Sequence, residues 1–250
     1  MADPLHLVRV PLTPSRLAGV ARVKHVPVSE LDEGYLAHCA MRELWQDAAP
    51  SPFLLRGRGA VLEAWGYGRS AAAQLVQLAQ SRPAGEAVRL VDVPGVQSKP
   101  VLRFDVGRRV GFHLRACPVV RLASPTHGHK AGAEVDAFLA RCFSVRDDEP
   151  VSRESVYLEW ARRQLREDVV GARLESVRVA AMARERLVRR THGDLRHARR
   201  IERPDVRFEG VIVVTVPDRF LECLARGVGR HKAFGFGALM LVPPGRAWDR

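Results

Sequence analysis

With 250 residues, 46% of them apolar and 6% aromatic, the chain is long enough for one large or two small cored domains, and its composition excludes a disordered polymer. Lys and Arg number 40 against 28 Asp and Glu, a formal net charge of +12 that points to a polyanionic partner or, more blandly, to an Arg-rich proteome. No window approaches the ~18 apolar residues of a membrane span and no apolar leader precedes Leu5, so a cytoplasmic protein without membrane contact is expected.

Leu5 to Leu12 reads as a strand, and Leu31 to Asp47 as a helix striped by Leu36, Cys39, Ala40 and Leu44. Two short strands, Phe53 to Arg56 and Ala60 to Trp65, flank Gly57-Arg-Gly, a hairpin signal. Ser70 is placed to cap a helix over Ala71 to Gln80, and Val88 to Val93 reads as a strand. Pro94-Gly-Val-Gln-Ser-Lys-Pro100 has linker composition, which divides the chain near residue 97 into residues 1–96 and 97–250. The same order then recurs. Val110 to Leu122 is a strand interrupted at Pro118, Arg153 to Asp168 a helix, Val177 to Leu187 and Val206 to Val216 strands, Asp218 to Ala225 a helix opened by Pro217, and Ala238 to Val242 a closing strand. Ser124 to Glu149 stands outside the repeat as an insertion with a short helix over Glu134 to Cys142. Two β-α-β-β-α-β runs predict an α+β protein of two tandem ferredoxin-like (RRM-like) domains, with a basic cleft between them.

Three features carry chemistry. Tyr35 and His38 are three apart on the first helix and share one of its faces, where an imidazole can move protons near neutral pH and a phenol can steer the transfer. Between a helix and a strand, Arg226-Gly-Val-Gly-Arg-His-Lys-Ala-Phe-Gly-Phe-Gly-Ala238 gathers Gly227, Gly229, Gly235 and Gly237 with Arg230, His231 and Lys232. It reads either as a backbone cradle for phosphate or as a tightly packed connector, and it lacks the pattern of a nucleotide-binding loop. From Arg184 to Arg207 the chain carries nine arginines against four acids. There Arg189, Arg190, Arg196, Arg199 and Arg200 suit a basic finger on an RNA stem, the alternative being a solvated loop. The four cysteines fall at no metal-ligand or redox spacing, and His113, His127 and His129 lack supporting ligands, so neither a metal nor a cofactor is expected.

Phe208-Glu-Gly-Val followed by Gly227-Val-Gly-Arg-His-Lys-Ala-Phe-Gly-Phe-Gly-Ala-Leu resembles the C-terminal signature of the CRISPR-associated RAMP endoribonucleases of the Cascade type. Phe112-His-Leu-Arg-Ala-Cys-Pro118 is similar to that family's Phe-x-Leu-Arg-Ala-Asn-Pro strand, with Cys117 in place of Asn, and Tyr35-Leu-Ala-His38 to its Tyr-x-x-His. The resemblance runs from residue 5 to 244 and fits a type I-E enzyme or a type IV relative. It implies a metal-independent endoribonuclease that binds the repeat hairpin of precursor CRISPR RNA, cuts at the stem base through 2′-OH attack, and keeps the mature crRNA among other subunits of an effector complex. It also implies His38 for proton transfer and Tyr35 for positioning, beside which Arg22 with Lys24, or Arg42, are the candidates for neutralising phosphorane charge. Lys24, Arg115, the finger arginines and the glycine-rich loop are the expected RNA contacts. The alternative is a non-catalytic crRNA-binding subunit.

Overall fold

The computed structural model describes residues 4–27, 31–58, 61–83, 85–145, 150–190 and 198–247, with backbone alone at 58, 188–190 and 198–200. The first unit runs β1 (His6–Leu12), α1 (Leu17–Val23), α2 (Glu33–Trp45), β2 (Phe53–Arg58), β3 (Val61–Gly68), α3 (Ala72–Gln80), α4 (Glu86–Leu90) and β4 (Gln97–Pro100). Its antiparallel sheet has the order β2-β3-β1-β4. Alternation on β1 turns Val8, Val10 and Leu12 inward, against the Leu36, Ala40, Met41 and Leu44 stripe of α2 and Leu75 of α3. Trp45 closes this core by donating its indole N–H to the Leu75 carbonyl at 2.8 Å.

The second unit runs β5 (Arg109–Ala116), an insertion of β6 (Val119–Arg121), β7 (Glu134–Asp136) and α5 (Ala137–Cys142), then α6 (Arg153–Gln164), α7 (Glu167–Val170), β8 (Ala172–Arg190), β9 (Ala198–Val214), α8 (Pro217–Arg226) and β10 (Leu239–Val242). Its sheet order, β10-β5-β9-β8, repeats that of the first unit. Both are therefore ferredoxin-like, as the repeated pattern predicts. Phe112 and Leu114 of β5, Phe208 and Ile212 of β9, Trp160 of α6 and Phe220 of α8 fill the second core. The halves interlock: Leu5, Leu54 and Tyr67 of the first unit join that core, and the Tyr67 hydroxyl donates to the Leu239 carbonyl of β10 at 2.8 Å.

Several local expectations need correction. Val88 to Val93 is not a strand, because Ala87 and Leu90, three apart, bury one face of the short helix α4. The slot beside β1 goes to Gln97–Pro100, which reads as linker because a strand at the sheet's edge needs no apolar alternation. The sheets therefore change over between Pro100 and Arg109. Ala71, not Ser70, is the N-cap of α3, where its N–H donates to the Gln74 side chain at 2.9 Å. The helix expected over Arg153 to Asp168 breaks at Leu165 into α6 and α7. Glu134 to Cys142 splits into strand β7 and helix α5, because Asp136 caps α5 by accepting from Phe138 N–H at 2.8 Å.

Candidate functional site

The site forms where α2 of the first unit meets the loop between α8 and β10 of the second. Asp32 caps α2, its carboxylate accepting the Tyr35 N–H at 2.8 Å. One turn of α2 is pressed directly on the loop. A Cβ at Gly34 would lie 2.3 Å from the Phe234 carbonyl oxygen, so only glycine allows the approach. The Tyr35 ring stacks on Phe234, with centroids 5.6 Å apart and planes inclined by 22°. His38 follows one turn later on the same stripe, half-buried. Burial, and after it the charge of Arg42, pushes the His38 imidazole below its ordinary pKa, so the ring is neutral and able to accept a proton at neutral pH.

The loop is a folded object. Val228 N–H donates to the Gly237 carbonyl and Gly237 N–H to the Arg115 carbonyl, each at 2.8 Å, so both ends are tied to the second unit. Between them a single 3-10 turn over Lys232–Phe234 is flanked by left-handed His231 and Gly235. At Gly237 a φ of +86° coincides with a space in which a Cβ would sit 2.6 Å from the Val228 carbonyl oxygen. Lys232 turns back to donate its ammonium to the Arg226 carbonyl, and burial and then the charge of Arg226 lower its pKa. Gly227 and Gly237 serve close packing, which is the connector reading of this loop.

Acidic residues that the sequence does not single out hold the loop's surroundings. Arg115 donates to both Asp205 carboxylate oxygens at 3.0 Å and also to Glu185, with its guanidinium 4.3 Å from the Phe236 ring centroid. Arg115, expected among the RNA contacts, is placed as an internal brace beneath the loop. Glu134 of β7 pairs with His231 of the loop, and Arg203 Nε and Arg230 Nη1 lie 3.5 and 3.6 Å from its carboxylate. Burial alone would raise the Glu134 carboxyl, but the His231 hydrogen bond and these charges outweigh it and hold it below the usual range. Beneath them Cys117, Val119, Leu187 and Phe236 form a small apolar cluster that joins β8, the insertion and the loop.

The other expected residues lie at graded distances from this junction. Arg42 is on the His38 face of α2 and donates to Asp47 at 2.8 Å and to the Gln46 carbonyl at 2.9 Å. Arg22 is exposed in the last turn of α1. Lys24 bonds Glu43 at 2.6 Å, and Glu43 is roughly 140° around α2 from His38 at ~100° per residue, so Lys24 is not brought to the histidine's face. The described part of the Arg-rich segment, residues 184–190 and 198–207, continues the two strands. β8 and β9 pair from Ala172↔Val214 out to Arg190↔Ala198, and beyond the end of β5 they run alone as a two-stranded arm about 26 Å long at ~3.3 Å per residue. Cross-strand Arg184–Glu202 at 3.1 Å, with the Glu185↔Arg203 register, shows how so charged a ribbon is held. Arg189 and Arg199 face each other in the ladder, and Arg190 and Arg200 occupy the adjoining rungs. Their side chains, and Arg196 entirely, lie outside the described residues.

Among the described residues no cluster of three or more His, Cys, Asp or Glu could hold a metal ion, and no helix is long and apolar enough to cross a membrane. The family model described as "CRISPR associated protein" matches residues 5–243. No curated protein matches the chain. Among solved structures, the chain is similar to Thermus thermophilus Cse3 bound to an RNA representing a pre-cleavage complex (TM-score 0.61, 22% identity, 96% of this chain and 100% of that one). It is similar also to the CRISPR-associated protein Cas6e of Escherichia coli K-12 (TM-score 0.54, 18% identity, 95% and 99%). A chain of a CRISPR RNA-guided surveillance complex matches with a TM-score of 0.55 at 18% identity, covering 94% of this chain and 99% of that one.

Proposed function

This chain belongs to the CRISPR-associated protein family, and from that premise we propose that it is a metal-independent endoribonuclease that binds the repeat hairpin of precursor CRISPR RNA, cuts at the stem base and retains the mature crRNA. The observation that carries the reading is the junction itself: a neutral, half-buried His38 and a stacked Tyr35 from one half beside a tightly folded, cationic glycine-rich loop from the other. Support comes from structures of the same fold described as Cse3 bound to RNA and as part of an RNA-guided surveillance complex. The same likeness motivates other effector-complex subunits as partners and a cytoplasmic site of action.

The chemistry needs only the RNA's own nucleophile. His38, neutral at working pH, accepts the 2′-OH proton as the 2′-oxygen bonds to phosphorus in line with the leaving 5′-oxygen. The P–O5′ bond breaks, the 5′-oxygen takes a proton from water while His38 keeps the one from the 2′-OH, and the products are a 2′,3′-cyclic phosphate and a 5′-OH. Tyr35, fixed by its stack on Phe234, positions the phosphate, while Arg42 and Arg22 supply positive charge to the phosphorane. Lys24 joins them when RNA phosphate displaces Glu43 from its ammonium. The arm, through Arg189, Arg190, Arg196, Arg199 and Arg200, takes the stem's phosphates. Incubation with an end-labelled repeat hairpin in EDTA tests this directly. Cleavage leaving a cyclic phosphate and a 5′-OH is expected, whereas tight binding with no product would mark a non-catalytic crRNA-binding subunit.

A further inference from the structure

The insertion between β5 and α6 holds a β6–β7 hairpin where the first unit has the helix α1, and one of its side chains reaches the loop. The Glu134 carboxylate is met by an imidazole and two guanidinium groups from two elements: His231 and Arg230 from the loop and Arg203 from β9. Arg203 Nε is buried and makes no hydrogen bond among the described residues, so Glu134 at 3.5 Å is its countercharge. His231 is a non-glycine residue with φ of +61°, a conformation that persists only where its surroundings impose it. Its carbonyl accepts the Phe234 N–H at 2.9 Å, and Phe234 carries the Tyr35 ring. A continuous path therefore runs from Glu134 through His231 and the 3-10 turn to Phe234, and from there to Tyr35 and the Gly34 contact on α2.

We propose that Glu134 is a positioning residue for the cleavage reaction: its carboxylate fixes His231 and so sets the register of the glycine-rich loop against the helix that carries Tyr35 and His38. The inference rests on the nuclease reading above and adds a residue from the insertion to it. Glu134 touches neither α2 nor a reacting atom, and it withdraws positive charge from the loop. That combination separates it from a residue that binds RNA. Removing its charge while keeping its shape frees the more exposed Arg230 for phosphate and loosens the loop, so affinity and cleavage should move in different directions. A residue that only supports the fold would lower both together.

The test uses the full-length protein with Glu134→Gln and His231→Asn, the second chosen because asparagine tolerates positive φ. In single-turnover reactions with the repeat hairpin, both variants should cut about 10- to 100-fold more slowly, the scale of loss that misplacement by about an ångström causes. Hairpin affinity of Glu134→Gln should be unchanged or up to about 3-fold tighter, with a steeper salt dependence. Hydrogen exchange of residues 228–237, measured without RNA, should quicken in both variants. Wild-type cleavage rates, or cleavage and affinity falling together with the melting temperature, would overturn the proposal. The exchange arm keeps the two readings apart. A wild type that cuts nothing would remove the nuclease reading, while faster loop exchange in the variants would still support Glu134 as the loop's anchor, and unchanged exchange would overturn that too.

Discussion

The two halves share one strand order but divide the work unequally. In the first unit the connection from β1 to β2 includes the long helix α2, which presents Tyr35 and His38 toward the junction and whose close approach is set by Gly34. In the second unit the corresponding functional element is the connection before β10, where charge and backbone conformation rather than a proton-carrying side chain dominate, and its β8–β9 pair outgrows the sheet into an arm. On the proposed reading, a fold repeated twice yields a proton-transfer face from one copy and an anion-handling surface from the other. The site exists only where they touch. Tyr67 bonding to the Leu239 carbonyl and Tyr35 stacking on Phe234 are the ties that register one against the other.

The comparison can be broken most severely at the contact. Gly34→Val places side-chain atoms where the Phe234 backbone sits, and it should cost about 1–3 kcal/mol of stability, the usual range for overpacking. It should also slow cleavage by about 100-fold, as expected when catalytic groups are displaced by roughly an ångström. Thermal melting and single-turnover kinetics read the two effects, and normal cleavage would show that the loop and α2 need no fixed register. The next largest effect separates binding from chemistry. Replacing Arg189, Arg190, Arg199 and Arg200 together by Ala should weaken the hairpin complex by about 10- to 100-fold near physiological salt and flatten the plot of log affinity against log salt, because fewer counterions are released. The cleavage rate of saturated complex should change far less. Undiminished affinity would make the arm a solvated ribbon.

The smallest effect is a pH shift. His38 is held below its ordinary pKa first by burial and then by Arg42, so protonation on acidification removes the base and cleavage should fall on the acid side of neutrality. Arg42→Ala removes the repulsion but not the burial. The His38 pKa should rise, and the acid limb of the rate profile should move to higher pH with it. A limb that stays in place would mean that Asp47 already cancels the Arg42 charge.

The repeated topology was legible because alternation on β1 and β5 and the 3–4 spacing on α2, α6 and α8 mark buried faces that tertiary context reinforces. Gln97–Pro100 escaped because an edge strand needs backbone partners more than apolar side chains. The arm escaped as strand because arginines alternate with too few apolar residues to show a period, and cross-strand ion pairs stand in for burial. At the site, Tyr35, His38 and the glycine-rich loop were legible through local spacing and family resemblance. Glu134, Asp205 and Glu185 were not, since a lone carboxylate in a strand carries no signal until folding brings hydrogen-bond partners to it from 70 to 97 residues away. Lys24 shows the converse: near in sequence to α2, it is held by Glu43 away from the His38 face.

The central claim, that the α2–loop junction cuts RNA by histidine-mediated proton transfer, is tested most directly by single-turnover cleavage of the repeat hairpin by His38→Ala in EDTA, with affinity measured on the same preparation. Loss of general acid–base catalysis should slow the cut by about 10²- to 10⁴-fold while hairpin affinity stays within a few-fold of the wild type. Cleavage at the wild-type rate by His38→Ala would contradict the account and move the chemistry away from this histidine.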